Sequence, residues 1–245
     1  MKIGVLLCDD VHPDLQKDHG NYPEMFTTLF EQVDNQISLT FYRVIDGQYP
    51  QSLDECDGYI SSGSKFSVYD QNRWISTFQA FVHQLYTQHI PFVGICFGHQ
   101  MIAWALGGEV MRSDKGWGIG IKEVEINTAE IDKHSWLTPA LPSFSLVLSH
   151  QDQVTGLPDN TTVLAGSAFC PNAMILVGKH FLGIQGHPEF TPEYSHGLMK
   201  LRHALYPKAV YEKGQQSLHQ PTQHLAVTQW IVNFIKSRVM TNALL

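Results

Sequence analysis

Apolar positions along the chain recur with two alternating periods. Residues 3–7 form a short apolar run that predicts a buried strand, and residues 9–21 are polar and predict an irregular segment. From Pro23 onward, Met25, Phe26, Leu29, Phe30 and Val33 share one face at helical spacing. Residues 37–44 alternate through Ile37, Leu39, Phe41 and Val44, a strand with one irregular step. A third short strand is expected at 58–60, and the clearest helix at 71–88. There Trp74, Ile75, Phe78, Phe81, Val82, Leu85 and Tyr86 form an apolar stripe that faces a core. Residues 90–93 return as a buried strand, and residues 101–106 as a helix closed by Gly107-Gly108.

This alternation of strand and helix predicts an α/β fold: a mostly parallel open sheet with helices on both faces. In such sheets the active site lies at the carboxyl ends of the strands, where Gly63 and Cys96 fall. Beyond residue 109 the pattern becomes strand-rich, with strands expected at 119–126, 145–148, 161–168, 173–177 and 181–184. The tail reads as a helix over 192–206, a polar loop over 214–222, and a last amphipathic stripe at Val227, Trp230, Ile231, Phe234 and Ile235. No internal repeat or linker divides the 245 residues, so one domain over 1–245 is expected.

Composition narrows the function. A net charge of -7 leaves no excess of Lys and Arg to neutralise phosphates, which argues against a nucleic-acid partner. Cys8, Cys56, Cys96 and Cys170 are far apart and form no Cys-x-x-Cys pair, which suits a reducing, cytoplasmic setting. The apolar start is too short for a signal peptide, and no run reaches membrane-spanning length. The 13 histidines are scattered without ligand spacing, so neither a metal nor another cofactor is expected.

The candidate chemistry centres on Gly94-Ile95-Cys96-Phe97-Gly98-His99-Gln100, where a strand turns into a helix. A thiol at such an elbow projects from the strand end, and the helix N-terminus behind it favours the thiolate. A lone cysteine in an apolar run also fits a buried core position. The flanking glycines and a second segment, Gly183-Ile184-Gln185-Gly186-His187-Pro188-Glu189-Phe190, favour a nucleophile. In that segment His187 can take the proton from Cys96, and Glu189 can orient the imidazole.

Together the two segments resemble the class I glutamine amidotransferase family, in the chain order Cys, His, Glu. The likeness extends from about Lys2 to Phe190 and includes the glutaminase-like domain of GMP synthase. Arg43-Val44-Ile45-Asp46-Gly47 and Asp57-Gly58-Tyr59-Ile60-Ser61-Ser62-Gly63-Ser64 look most like the stand-alone members such as the γ-glutamyl peptidases. The resemblance implies a flavodoxin-like sheet and cleavage of a γ-glutamyl amide through a thioester on Cys96. Elbow geometry offers the Phe97 N–H as an oxyanion donor, with Gly63 as the second. The family's usual glycine pair followed by proline is replaced here by Ser62-Gly63-Ser64-Lys65. Gln100, one helical turn beyond Cys96, matches a family residue that contacts glutamine. Ser149-His150-Gln151-Asp152 resembles a segment whose backbone holds the amino-acid end of the substrate, with His150 equally readable as a structural histidine.

Glutamine and γ-glutamyl compounds are therefore the expected small-molecule substrates. The chain lacks a Walker-type loop, so delivery of ammonia would require a separate synthetase partner. Two other readings stay open: a non-catalytic regulatory module of the same fold, and a related α/β protein with a reactive cysteine of the stress-protein kind. Residues 9–21 and 206–221 are candidates for covering the site or meeting a partner.

Overall fold

The computed structural model of the protein describes residues 1–242; residues 243–245 of the expected single domain lie outside them. The first half alternates as the hydrophobic pattern predicts. β1 (Lys2–Leu6) leads to α1 (Pro13–His19) and α2 (Tyr22–Glu31). β2 (Ser38–Tyr42), β3 (Gly58–Ser61), α3 (Arg73–Thr87), β4 (Phe92–Ile95) and α4 (Phe97–Ala105) follow. The next stretch holds β5 (Glu109–Arg112), β6 (Gly118–Ile126), the short α5 (Thr128–Ile131) and β7 (Ser143–His150). β8 (Asp152–Gly156), β9 (Thr161–Gly166), β10 (Met174–Val177) and β11 (Phe181–Ile184) complete the strands. The tail is α6 (Pro192–Leu201), α7 (Lys208–Ser217) and α8 (His224–Asn242).

Nine strands form one sheet in the order β2-β1-β3-β4-β11-β10-β9-β6-β7, and β5 pairs with β8 in a separate ribbon. The five strands from β2 to β11 run parallel. The strand-rich segment continues the same sheet with antiparallel pairings. Its last strand returns to the middle: β11 lies beside β4, with Leu182 opposite Val93 and Ile184 opposite Ile95. That pairing carries the residues after β11 to the carboxyl end of β4, next to Cys96.

Inside the edge strand β2 the parallel strands are buried on both faces, and their side chains divide by the two-residue period. Ile3, Val5, Ile60, Val93, Ile95, Leu182 and Ile184 point into one core, shared with Phe26 and Phe30 of α2 and Trp230 and Phe234 of α8. Leu6, Tyr59, Phe92 and Phe181 point into the other, shared with Phe78 and Val82 of α3 and Met101 and Ile102 of α4. Helices thus cover both faces.

Two expected irregular segments turn out helical. α1 lies within residues 9–21, with His12 as N-cap and Pro13 in its first turn. None of its residues is buried, so it carries no apolar stripe for periodicity to find. α7 reaches Ser217, into the expected loop at 214–222; its buried residues are Gly214 and Ser217. Gly214 lets the helix approach Ile119 of β6, and the Ser217 hydroxyl accepts from the Ile121 N–H at 2.9 Å. Small residues make that contact, and a hydrophobic pattern misses them. The helix expected over 192–206 ends at Leu201 and gives way to a tight turn at His203–Leu205.

Gly94 and Gly98 serve close packing of helix on sheet. A Cβ on Gly94 would lie 2.3 Å from the Gly98 carbonyl group, and one on Gly98 would lie 1.8 Å from Ser61 Oγ. Gly98→Ala is therefore expected to destabilise the protein by about 1–3 kcal/mol, the usual cost of overpacking. The Ser61 hydroxyl is buried without a hydrogen-bond partner. Adding Ser61→Ala should then recover most of the loss in a urea-unfolding double-mutant cycle. Additive losses would show that the clash lies elsewhere.

Candidate active site

Cys96 stands between β4 and α4 with φ 49° and ψ −96°, in the left-handed region that L-residues seldom occupy. Its own N–H is held by the Ile184 carbonyl at 2.8 Å, which ties the elbow to β11. The residue is 4 % exposed. After β11 the chain binds back to the sheet twice, Gln185 N–H to Ala173 and His187 N–H to Val147, both at 2.9 Å. These bonds fix the approach of His187 to the elbow.

The imidazole of His187 stands near Cys96, whose sulfur is among the groups that favour its charged form. Its Nδ1 is 2.8 Å from Glu189 Oε1. The ring of Phe190 stacks on the imidazole at 3.9 Å with an interplanar angle of 2°, which holds the ring plane. Burial opposes a charge on His187. The Glu189 carboxylate and the Cys96 sulfur outweigh that penalty and raise its pKa from 6.5 to about 10. The structure thus pairs His187 with Glu189 and sets both Cys96 and His187 against Gly63.

The other cysteines sit in different surroundings. Burial pushes the Cys8 thiol well above its ordinary value, and pushes Cys170 up to about 12. Cys56 is raised for the same reason. His99, beside the elbow, is fully buried and packs against Gly183; burial lowers its pKa to about 3.

Gly63 lies against the pair: a Cβ there would be 2.7 Å from His187 Cε1 and 3.6 Å from Cys96 Cβ. The serines that replace the family's usual residues anchor this loop to the end of β1. Ser62 Oγ accepts from the Cys8 N–H at 2.9 Å and donates to the Gly63 carbonyl at 3.0 Å. Ser64 Oγ donates to the Cys8 carbonyl at 3.0 Å, and Asp9 takes both the N–H and the ammonium of Lys65. The Ser62 N–H donates to the Leu6 carbonyl at 3.0 Å. The peptides on either side of the Gly63 N–H are therefore fixed. Among the described residues neither the Gly63 nor the Phe97 N–H has an acceptor.

Gln100 and His150 are buried beside the elbow, but each is partly committed to the protein. The Gln100 amide nitrogen donates to the Asp152 carbonyl at 2.9 Å and to Gln185 Oε1 at 3.2 Å. His150 Nδ1 pairs with the same carbonyl at 3.0 Å, and burial lowers its pKa to about 4, so the ring is neutral at pH 7. Gln185 escaped the sequence reading. Its Nε2 lies 3.5 Å from Cys96 Sγ, so a chain of amides runs from Gln100 through Gln185 to the sulfur. Its place two residues before His187 was the available signal.

Two cavities meet at these residues. One, of about 150 Å³, is lined by Cys96, Phe97, Gln100 and the Ser149–Asp152 turn. The other, of about 280 Å³, opens on the His187 side and includes Tyr22, Phe190 and Tyr194. Ser64, Lys65, Ser149 and Arg202 belong to both. α1 lines the larger cavity through Pro13 and Gln16. Asp10 at its edge is held to about 2 by the Arg43 guanidinium, which grips it through two bonds of 2.7 and 2.9 Å. Arg202 gave no signal in the sequence: at the end of α6 it reads as an ordinary helix-terminal cation. Among the described residues no group of His, Cys, Asp or Glu is arranged to hold a metal ion, and no helix is long and apolar enough to cross a membrane.

Comparison with known proteins agrees with this arrangement. The family model for glutamine amidotransferase class-I matches residues 32–203. Gamma-glutamyl peptidase 5 of Arabidopsis thaliana is 34% identical over 182 residues, covering 73% of this chain and 72% of that protein. GMP synthase [glutamine-hydrolyzing] of Bacillus pumilus is 37% identical over 150 residues, which cover 58% of this chain and 26% of that enzyme. The crystal structure of a glutamine amido transferase from Methylobacillus Flagellatus superposes with a TM-score of 0.73 at 18% identity, covering 98% of this chain and 94% of that one. A mixed sheet with a nucleophile elbow, a His-x-Glu segment delivered beside it, and these likenesses lead to one conclusion: the chain belongs to the class I glutamine amidotransferase family.

Proposed function

We propose that the chain, as one domain over residues 1–245, is a stand-alone hydrolase of γ-glutamyl amide bonds. The placing of the Cys96 elbow and of the His187–Glu189 pair around Gly63 carries this reading. The Cys96 sulfur attacks the γ-carbonyl carbon and forms a C–S bond. The oxyanion that develops is held by the Phe97 and Gly63 N–H groups. The C–N bond then breaks as His187 gives its proton to the departing amine. In the second half, water gives a proton to His187 and its oxygen to the thioester carbon. The C–S bond breaks, and glutamate leaves. Gln100, Ser149 and His150 border the γ-glutamyl group, with Gln100 acting partly through Gln185. The reaction is carried by side chains and backbone donors of this chain, on a small-molecule substrate in a cytoplasmic setting.

Two observations support independence from a partner. The Gly63 loop is tied down by the chain's own serines and Asp9, so one oxyanion donor is preorganised. The γ-glutamyl peptidase likeness covers most of both chains. The second reading, a glutaminase subunit supplying ammonia to a synthetase, has the GMP synthase likeness in its favour. An assay of the purified chain against glutamine and a panel of γ-glutamyl amides separates them. Glutamate release without any partner is expected; inertness across the panel would favour the partner-dependent glutaminase.

A further inference from the structure

Cys96 lines the smaller cavity and His187 the larger one of 280 Å³, which places an acyl group attached to the sulfur in the smaller cavity. The departing amine must receive its proton from His187, so whatever it carries projects into the larger cavity. Glutamine releases only ammonia, and a molecule of that size needs about 30 Å³. The space present is several times greater, and the wall includes Val11, Tyr22, Phe190, Tyr194 and Leu198 as well as charged groups.

The charges decide what that space would hold. Asp9 is neutralised by Lys65 at 2.8 Å, and Asp10 by Arg43. Arg202 enters no ion pair among the described residues, so its guanidinium is the uncompensated charge of the cavity. It neighbours two hydroxyls, Tyr206 and Ser149, each buried and without a good hydrogen bond of its own. The Arg202 guanidinium, which lines the cavity, suits a carboxylate. The smaller cavity has a guanidinium of its own, Arg112, for the α-carboxylate of the glutamyl group.

We propose that the larger cavity is a leaving-group subsite and that Arg202 determines specificity within it by binding a carboxylate on the departing amine. The preferred substrates are then γ-glutamyl amino acids and γ-glutamyl peptides, ahead of glutamine and simple γ-glutamyl alkylamides. This rests on the γ-glutamyl hydrolase reading above and names the substrate class of that same site.

γ-Glutamylglycine and γ-glutamylmethylamide share the acyl group and differ in the leaving-group carboxylate. The expected result is a kcat/KM ratio of about 10 or more in favour of γ-glutamylglycine, the worth of one charge-assisted hydrogen bond. Arg202→Met should bring that ratio close to one, and Arg202→Lys should restore part of it. A wild-type ratio near one would overturn the subsite, as would a ratio that Arg202→Met leaves unchanged. The second case would assign Arg202 to the glutamyl half. Binding to the Cys96→Ala protein, measured by calorimetry, separates this from the catalytic reading. Tighter binding of γ-glutamylglycine that depends on Arg202, with neither compound turned over by the wild type, would uphold the subsite and sink the hydrolase. Turnover of both at equal kcat/KM would do the reverse.

Discussion

Cys96→Ala loses release of glutamate from γ-glutamyl compounds by about 10⁴-fold or more, the scale set by removal of a nucleophile in other acyl-transfer enzymes, while the protein remains folded. The size follows from the mechanism: without the sulfur no thioester forms, and only the oxyanion donors and substrate binding persist. The fold should survive because alanine keeps the Cβ and loses one buried atom from a site with little packing to spare. A glutamine-like electrophile should label wild-type Cys96 alone, because burial keeps Cys8 and Cys170 protonated. Peptide mapping of the labelled protein, with activity measured in parallel, checks both parts. Activity within a few-fold of wild type in Cys96→Ala, or stoichiometric label on Cys56 or Cys170, would place the chemistry elsewhere.

His187→Ala is expected to lower kcat/KM by about 10³-fold or more, since one group both protonates the amine and activates water. Glu189→Gln is the sharper test because it keeps the shape. The carboxylate is one of the groups that raise the His187 pKa to about 10. A group raised in this way holds its proton below that value and loses it as the pH climbs through it. The acid needed for departure of the amine therefore persists well into the alkaline range in the wild type. With Glu189→Gln the imidazolium loses its counter-charge, its pKa falls, and the alkaline limb of the rate of acylation moves to lower pH. The rate at neutral pH should fall by about 10²-fold or more. Single-turnover rates across pH measure the displacement. An alkaline limb at the wild-type position would show that Glu189 does not act through His187.

Much of this fold could be read from apolar spacing because the parallel strands and α2, α3 and α8 bury large side chains at regular intervals. α1 and α7 could not be read that way. One buries nothing, and the other makes its contact through Gly214 and Ser217. Cys96, His187 and Glu189 could be singled out as candidates because each lies in a short segment with its own turn chemistry. Arg202, Tyr22 and Gln16 were not, because they meet only when α1 and α6 are folded over the ends of the strands. Their surroundings in the sequence are those of ordinary helix residues. Ser62 and Ser64 depart from the family's usual residues in the Gly63 loop. In three dimensions they supply its anchors.

The left-handed backbone of Cys96 sets the chemistry and the durability of the fold against each other. A residue with a Cβ at φ 49° costs about 1–3 kcal/mol, a cost that glycine largely avoids. Under selection for folding alone, this position would drift toward glycine, and the nucleophile would be among the first features to disappear. On the proposed function, a cysteine at this left-handed position is one that selection for turnover would hold in place. Relatives that have abandoned catalysis should therefore be recognisable by an elbow that has relaxed.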